Sequence, residues 1–351
     1  MLIHKVNYQA LGILFSFASL FYLRGINSST LTQPVLLGFG FILIVSIYKF
    51  TIVSRFKALH LLLLQSAIIL FLVLVYQHYS VGLSKGILNE TGRLVFPVIT
   101  GFLIIVIFDM LPDQGKKVST AYFIGTCMLL LGADLLVRLI ENGTFFPSLS
   151  RYEIKRGGLI FVDSNFNGFI AFLFYVETAK INYRFRWVFL IFAIWSVSIA
   201  VYLCVILHFV ISFGKKYKFT SFASYIILII SLVLFSNLIF EDGSFQTKLE
   251  IINVASKGVF HHSLISGVGF GNFNTVFDIR HPSHNLFGLF AEGGILFILS
   301  LLIIFFWLYR NGARLTIFYS LVIGAISLFP VAYLACYYIL VRMVSQKGLR
   351  D

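Results

Sequence analysis

Four of the eight histidines lie in one polar segment, residues 241–285, the longest non-apolar stretch of the chain: His261, His262, His281 and His284. No cysteine pair or HExxH pattern accompanies them, so we expect no metal site. A single imidazole titrates near neutral pH and can act as a general base. We expect His284 and the adjacent Asn285 to be catalytic. The alternative is that these are polar side chains at a membrane interface.

The same segment contains a glycine-rich motif, Gly267-x-Gly269-x-Gly271, followed by Asn272. Glycine permits unusual backbone angles and lets a ligand approach backbone N–H groups closely. The motif could therefore cradle a phosphate, with Gly269, Gly271 and Asn272 in contact with the substrate. The alternative is a tight turn that returns the chain to the membrane.

Basic side chains that could bind a substrate occur in two segments. Arg151, Lys155 and Arg156 precede an apolar stretch, and Lys248 and Arg280 lie in the polar segment. Guanidinium groups grip phosphate bidentately, so these residues could together clamp a diphosphate. Contact with anionic lipid headgroups is the alternative.

Polar residues within apolar stretches also carry information, because they are costly in a membrane. Asp134 and Arg138 are four apart on one predicted helix and can pair. Asp163, Asn165 and Asn167 open the next stretch, where Asp163 and Asn167 share a helix face. By the topology below, these groups cluster towards the outer face. The alternative role is polar contact between helices.

The composition indicates what must position these residues. The chain of 351 residues is 59% hydrophobic and 12% charged, with a mean hydropathy of +0.94. Soluble domains are about half apolar and a quarter charged. The apolar excess extends along the whole chain, so we predict an all-α integral membrane protein with a single polytopic domain, 1–351. Cys127, Cys204 and Cys336 lie in apolar runs and are expected to be small buried hydrophobes without disulfides.

About 20 apolar residues are needed to cross a membrane, and ten stretches qualify as candidate spans. They are 8–23, 34–52, 58–79, 94–111, 119–140, 159–177, 187–213, 222–240, 286–308 and 315–341. The net charge of +13 sits mostly in clusters between them, as the positive-inside rule requires. Basic loops at 49–57, 116–117 and 180–186 fit a cytoplasmic N-terminus.

Two of these stretches are long. If each formed a single span, the basic clusters that follow it would lie on the outer side. We therefore predict that 187–213 breaks near 196–198 and that 315–341 breaks at Pro330, a helix breaker. The result is twelve spans with both termini cytoplasmic and 241–285 as one large periplasmic loop. Ten spans is the alternative.

Several motifs occur in a fixed order: RGGLIFVDSNFNG at 156–168, GVGFGNF at 267–273, SHNL at 283–286 and AEGGI at 291–295. Over residues 150–300 this order resembles the O-antigen polymerase (Wzy) and O-antigen ligase superfamily. In that family an arginine often stands where this chain has Lys248.

The resemblance implies a glycosyltransferase of the bacterial inner membrane that acts at the periplasmic face without metal or cofactor. Its substrates would be sugars linked to undecaprenyl diphosphate, and a chain-length regulator protein is a possible partner, whereas nucleic acid is not. The resemblance assigns diphosphate binding to the outer-loop arginines, here Arg151 and Arg156. It also marks as functional Asn165, His284, Asn285 and Glu292.

These inferences favour a polymerase that extends a surface polysaccharide. The close alternative is a ligase that transfers the glycan to lipid A-core or to protein. A transporter or flippase is an alternative of another class, and it predicts charged groups at mid-membrane and broken helices in matched halves. The clustering of polar groups towards one face favours chemistry at the surface over transport.

Overall fold

The computed structural model describes residues 7–20, 58–80, 87–141, 164–216, 243–258, 264–278, 285–326 and 335–346. Within these ranges the chain is all-helical, with 88% helix and no strand. This confirms the predicted all-α class. A helix satisfies its own backbone hydrogen bonds, which is what an apolar chain in a membrane requires.

We number the described helices in chain order. The first six are α1 (Tyr8–Leu20), α2 (Ala58–Ser80), α3 (Ile87–Met110), α4 (Asp113–Glu141), α5 (Ser164–Thr178) and α6 (Arg186–Trp195). The others are α7 (Ile199–Lys216), α8 (Gly243–Gly258), α9 (Phe273–Phe277), α10 (Leu286–Arg310), α11 (Arg314–Ile326) and α12 (Ala335–Val344). A short 3-10 helix, Ala179–Ile181, follows α5.

Three helices in the described part of the chain are long and apolar enough to cross a membrane: Leu59–Ser80, Asp113–Glu141 and Leu286–Arg310. A helical membrane protein is therefore supported. The predicted 10–12 spans, the face of the polar segment and the location of the termini stay predictions. Two of the predicted spans, 34–52 and 222–240, lie outside the described residues. The three cysteines are buried and free, as expected.

The helix α10 is apolar both on the face inside the bundle and on the face outside it. Phe297 and Leu301 are buried, whereas Leu299, Leu302 and Phe306 are each about half exposed. A helix of a soluble protein would place polar residues on its outer face. The outer face of α10 is suited to lipid.

The bundle has two ends, because α2 runs antiparallel to α3 and α10. Near the start of α2, His60 contacts Asp109 at the end of α3 and Trp307 near the end of α10. Near the end of α2, Gln77 bonds to the backbone of Glu292 in the first half of α10. We call these the Asp109 end and the Glu292 end.

The predicted break near 196–198 is confirmed. Helix α6 ends just before it and α7 begins after it, and Val197 between them has a φ of 53°. Trp187 before the break and His208 after it both contact Tyr175 of α5, with ring centroids 5.4 and 5.5 Å apart. The chain therefore reverses, and 187–213 is not one straight helix.

Two other boundaries differ from the predicted spans. Helix α3 begins seven residues before the predicted 94–111, and α4 begins six residues before the predicted 119–140. The first turns of α4 are polar but pack closely, since a Cβ at Gly115 would lie 2.9 Å from the Tyr8 ring. Helix formation thus extends beyond the apolar stretch. Pro330 lies outside the described residues.

Candidate functional site

Helix α10 is interrupted at Gly294, whose φ of 62° and ψ of −159° are not helical. The amides of 295–296 therefore do not bond to the carbonyls of 291–292. Instead, the loop 264–269 supplies backbone partners for both the amides and the carbonyls. The four bonds are Val268 N to Ala291 O, Gly269 N to Glu292 O and Ile295 N to Leu264 O, each 3.0 Å, and Leu296 N to Ile265 O, 3.3 Å. Hydrogen bonds between the loop and the helix thus replace two hydrogen bonds within the helix.

The glycine motif makes this exchange possible. Gly267, Gly269 and Gly271 have φ angles of 67°, 95° and 83°, which side-chain-bearing residues rarely adopt. A Cβ atom at Gly267 would overlap the carbonyl oxygens of Ala291 and Glu292. The two motifs GVGFGN and AEGG thus pack backbone against backbone as one unit, which we call the loop–helix unit (264–273 with 291–296).

Glu292 lies at the centre of this unit and is 2% exposed. Its Oε1 accepts from the amides of Gly271 (3.1 Å) and Phe273 (3.4 Å). Its carbonyl oxygen accepts from Gly269. These contacts make Glu292 a residue that holds the loop in place. The catalytic role given to it by the resemblance stays a prediction.

Gln77 is a member of the site that the sequence analysis missed. It is fully buried and links three segments through one amide group. Its Nε2 donates to the carbonyl oxygens of Ser266 and Glu292, and its Oε1 accepts from Phe270 N at 3.1 Å. The predicted span 58–79 contains two amides, Gln65 and Gln77, and such side chains were the available signal, because polar groups buried in spans are costly.

The phosphate-cradle interpretation of the glycine motif does not fit this geometry. Each of the six amides from 268 to 273 donates to an acceptor within the protein. Asn272 is buried, and its Nδ2 donates to Val268 O. The amides of Gly269 and Gly271 are thus occupied, and the geometry favours the tight turn.

Asn285 begins α10 as its N-cap. Its Oδ1 accepts from Gly288 N at 2.8 Å, which satisfies an otherwise orphaned amide of the first turn. The side chain is 1% exposed, and in the described part of the chain nothing accepts from Nδ2. A buried donor without a partner costs about 1–3 kcal/mol, so it calls for a functional explanation.

A charged cluster lies between α4 and α5 at the same end of the bundle. Arg138 Nε donates to Asp134 Oδ2 at 3.1 Å, and both side chains are fully buried, which confirms the predicted pairing. Asn167 Nδ2 also donates to Asp134 Oδ2 (2.9 Å) and to Leu131 O. Asn165 is buried at the start of α5. This cluster fixes α5 against α4, whereas the loop–helix unit packs on α2.

The structure places only some of the predicted site residues. Lys248 lies in α8, which packs on α10 through Ile251 and Ala255. Five predicted residues lie outside the described part of the chain: Arg151, Arg156, Asp163, Arg280 and His284. The predicted diphosphate clamp and the catalytic histidine therefore stay predictions.

The Asp109 end also contains buried charges, which corrects the interpretation that polar groups gather towards one face. Arg342 binds both carboxylate oxygens of Asp109, at 2.9 and 2.7 Å, and His60 Nε2 lies 2.8 Å from Oδ2. Glu177, at the end of α5, pairs with Lys180. The sequence analysis did not identify this group of residues, because they lie at the boundaries of predicted spans and resemble ordinary flanking charges.

The comparisons with known proteins add no family. No protein-family model, curated protein or solved structure matches this chain. Among the described residues, no group of three or more His, Cys, Asp or Glu side chains could hold a metal ion.

Proposed function

We propose that the protein is a polysaccharide polymerase that uses lipid-linked repeat units. It transfers the growing glycan from undecaprenyl diphosphate to a hydroxyl of the next repeat unit. The bond from the sugar C1 to the diphosphate oxygen breaks, a glycosidic C–O bond forms, and the hydroxyl proton passes to a base. His284 is the proposed base, and Arg151, Arg156 and Arg280 stabilise charge on the leaving diphosphate.

The observation that carries this proposal is the buried amide of Asn285. Its Nδ2 has no acceptor in the described part of the chain, and it directly follows the proposed base in sequence. A hydroxyl or phosphate oxygen of a substrate would satisfy this donor. The loop–helix unit supports the proposal, because it holds the first half of α10 in a fixed place.

The test separates the two roles of Asn285. Asn285→Asp keeps an oxygen that can cap Gly288 N but removes the Nδ2 donor. We expect a deletion strain to accumulate single-repeat glycolipid, wild type to restore long polymer, and Asn285→Asp to be inserted in the membrane but leave single repeats. Full-length polymer from both Asn285→Asp and His284→Ala would contradict the proposal.

The ligase alternative predicts a different glycolipid profile. A strain without a ligase would retain long polymer on the undecaprenyl carrier and would lack it on lipid A-core or protein. The same deletion strain therefore distinguishes the two reactions.

A flippase is the second candidate of another class, and two observations favour it. Helix α10, which is long enough to cross a membrane, is broken at Gly294, and the charged pair Asp134–Arg138 is fully buried inside the bundle. Broken helices and intramembrane charges are features of transporters. Purified protein in vesicles should leave the distribution of a fluorescent lipid-linked sugar unchanged if the polymerase proposal holds, and should equilibrate it if the flippase proposal holds.

A further inference from the structure

The depth of the loop in the bundle can be measured along α10. At the Asp109 end, α10 ends at the exposed Arg310, which we take as the point where the helix leaves the hydrocarbon core. The fifteen residue steps from Ile295 to Arg310 span about 22 Å, whereas the hydrocarbon core is about 30 Å thick. Ile295 is bonded to Leu264. The loop therefore contacts α10 several ångströms inside the hydrocarbon boundary at the Glu292 end, and any tilt of the helix places this contact deeper.

Helix α2 gives an independent measure of the same depth. His60 contacts Asp109 at one end, and Gln77 bonds to the loop at Ser266 and Phe270. The seventeen steps from His60 to Gln77 span about 26 Å, which is again less than the hydrocarbon thickness. Both helices thus put the loop inside the apolar layer.

The surface of the loop is apolar where it is exposed. Leu264 is 45% and Ile265 is 64% exposed, while the residues that follow them, 266–270, are buried. Both bond through their carbonyl groups to the first turn after the α10 break. They therefore extend the exposed apolar face of α10 that contains Ile295 and Leu299.

The backbone of the loop is satisfied in the way that membrane depth demands. Non-helical backbone survives in the hydrocarbon region only where protein or trapped water satisfies its polar groups. Here the amides of 268–273 all have protein acceptors, and the carbonyls of 264–266 accept from 295–296 and from Gln77. These backbone groups can therefore lie in the hydrocarbon region without contact with water.

We propose that residues 264–273 form a re-entrant loop that lies within the bilayer and presents Leu264 and Ile265 to lipid acyl chains. The partner of this surface is bilayer hydrocarbon. The proposal does not depend on the enzymatic activity. It replaces the expectation of a large aqueous loop, for these residues, with a loop sunk into the membrane.

The test attaches the fluorophore NBD to single cysteines in the full chain, in lipid vesicles and in a background with the three native cysteines replaced by alanine. The test variants are Leu264→Cys and Ile265→Cys, whose exposed side chains leave the packing intact. Leu299→Cys is the lipid control, and Asp113→Cys, with a side chain 96% exposed, is the aqueous control. Quenching by spin-labelled phosphatidylcholine is compared with quenching by iodide in water.

We expect the ratio of lipid quenching to iodide quenching at Leu264 and Ile265 to match Leu299 within about twofold, and to exceed Asp113 by about tenfold, as expected of hydrocarbon depth. Strong iodide quenching at both positions would overturn the proposal by placing the loop in water. Protection from both quenchers would also overturn it, because a second protein copy would then cover the surface.

Discussion

The loop–helix unit and the Asp109 end of the bundle hold charged residues in different ways. In the loop–helix unit, the carboxylate of Glu292 accepts from backbone amides, and glycines bring loop and helix into backbone contact. At the Asp109 end, side chains pair with side chains, with Arg342 and His60 on one carboxylate. The first arrangement depends on shape and the second on charge. The loop–helix unit should therefore be the less tolerant of added atoms.

The largest effect should come from a methyl group in the loop–helix unit. Gly267→Ala should lower the free energy of unfolding by about 4 kcal/mol, because a positive φ costs about 1–2 kcal/mol and the overlap breaks several backbone hydrogen bonds worth about 1 kcal/mol each. Thermal unfolding of the purified protein measures this change.

Gly312→Ala is the matched control, since Gly312 also has a positive φ, 77°, but a Cβ atom there would meet no other atom within 4 Å. Only the backbone strain, about 1 kcal/mol, should appear there. Equal destabilisation by the two substitutions would mean that close packing on Ala291 and Glu292 does not hold the Glu292 end together.

A smaller effect should follow removal of the buried amide at the same end. Gln77→Leu removes the hydrogen bonds to the carbonyl oxygens of Ser266 and Glu292 and the acceptor of the buried Phe270 amide, and we expect a loss of about 3 kcal/mol in unfolding free energy. Gln65→Leu, at an exposed position of the same helix, should change it by less than about 0.5 kcal/mol. An unchanged melting curve for Gln77→Leu would remove Gln77 from the site.

The Asp109 end should respond to loss of charge. Asp109→Asn should cost about 2 kcal/mol, less than a fully buried pair, because the side chains of Asp109 and Arg342 retain some exposure. Asp113→Asn, at an exposed carboxylate, should leave unfolding unchanged. If Asp109→Asn also released the loop to proteolysis, the two ends would not be independent.

The smallest effect should arise between the two ends, where Ser66 Oγ and Ser300 Oγ lie 2.6 Å apart across α2 and α10. Ser66→Ala should cost about 0.6 kcal/mol, the average for such bonds between membrane helices. A loss comparable to that of Gln77→Leu would show that the middle of the contact between α2 and α10, rather than its ends, holds the two helices together.

The sequence predicted features that depend on local pattern. The break at 196–198 followed from the excessive length of one apolar stretch, and the Asp134–Arg138 pair followed from helical spacing. Cysteines within apolar runs were expected to be buried, and they are. Each of these inferences needs only the chain near the residues concerned.

The sequence could not predict features that join distant segments. Gly294 lies inside a long apolar run, so its break becomes visible only when a loop some thirty residues earlier supplies the exchanged bonds. Gln77 contacts that loop across almost two hundred residues of sequence. For the same reason the glycine motif favoured a phosphate cradle about as well as a turn, since spacing does not reveal which acceptors the amides find.

Hydrogen exchange of the protein in lipid nanodiscs tests the central claim, that the loop and the broken helix form one folded unit. The amides of 268–273 should be as protected as those of 295–296, and Gln77→Leu should release both groups together while α4 stays protected. Rapid exchange of 268–273 in the wild-type protein, with 295–296 still protected, would contradict the account.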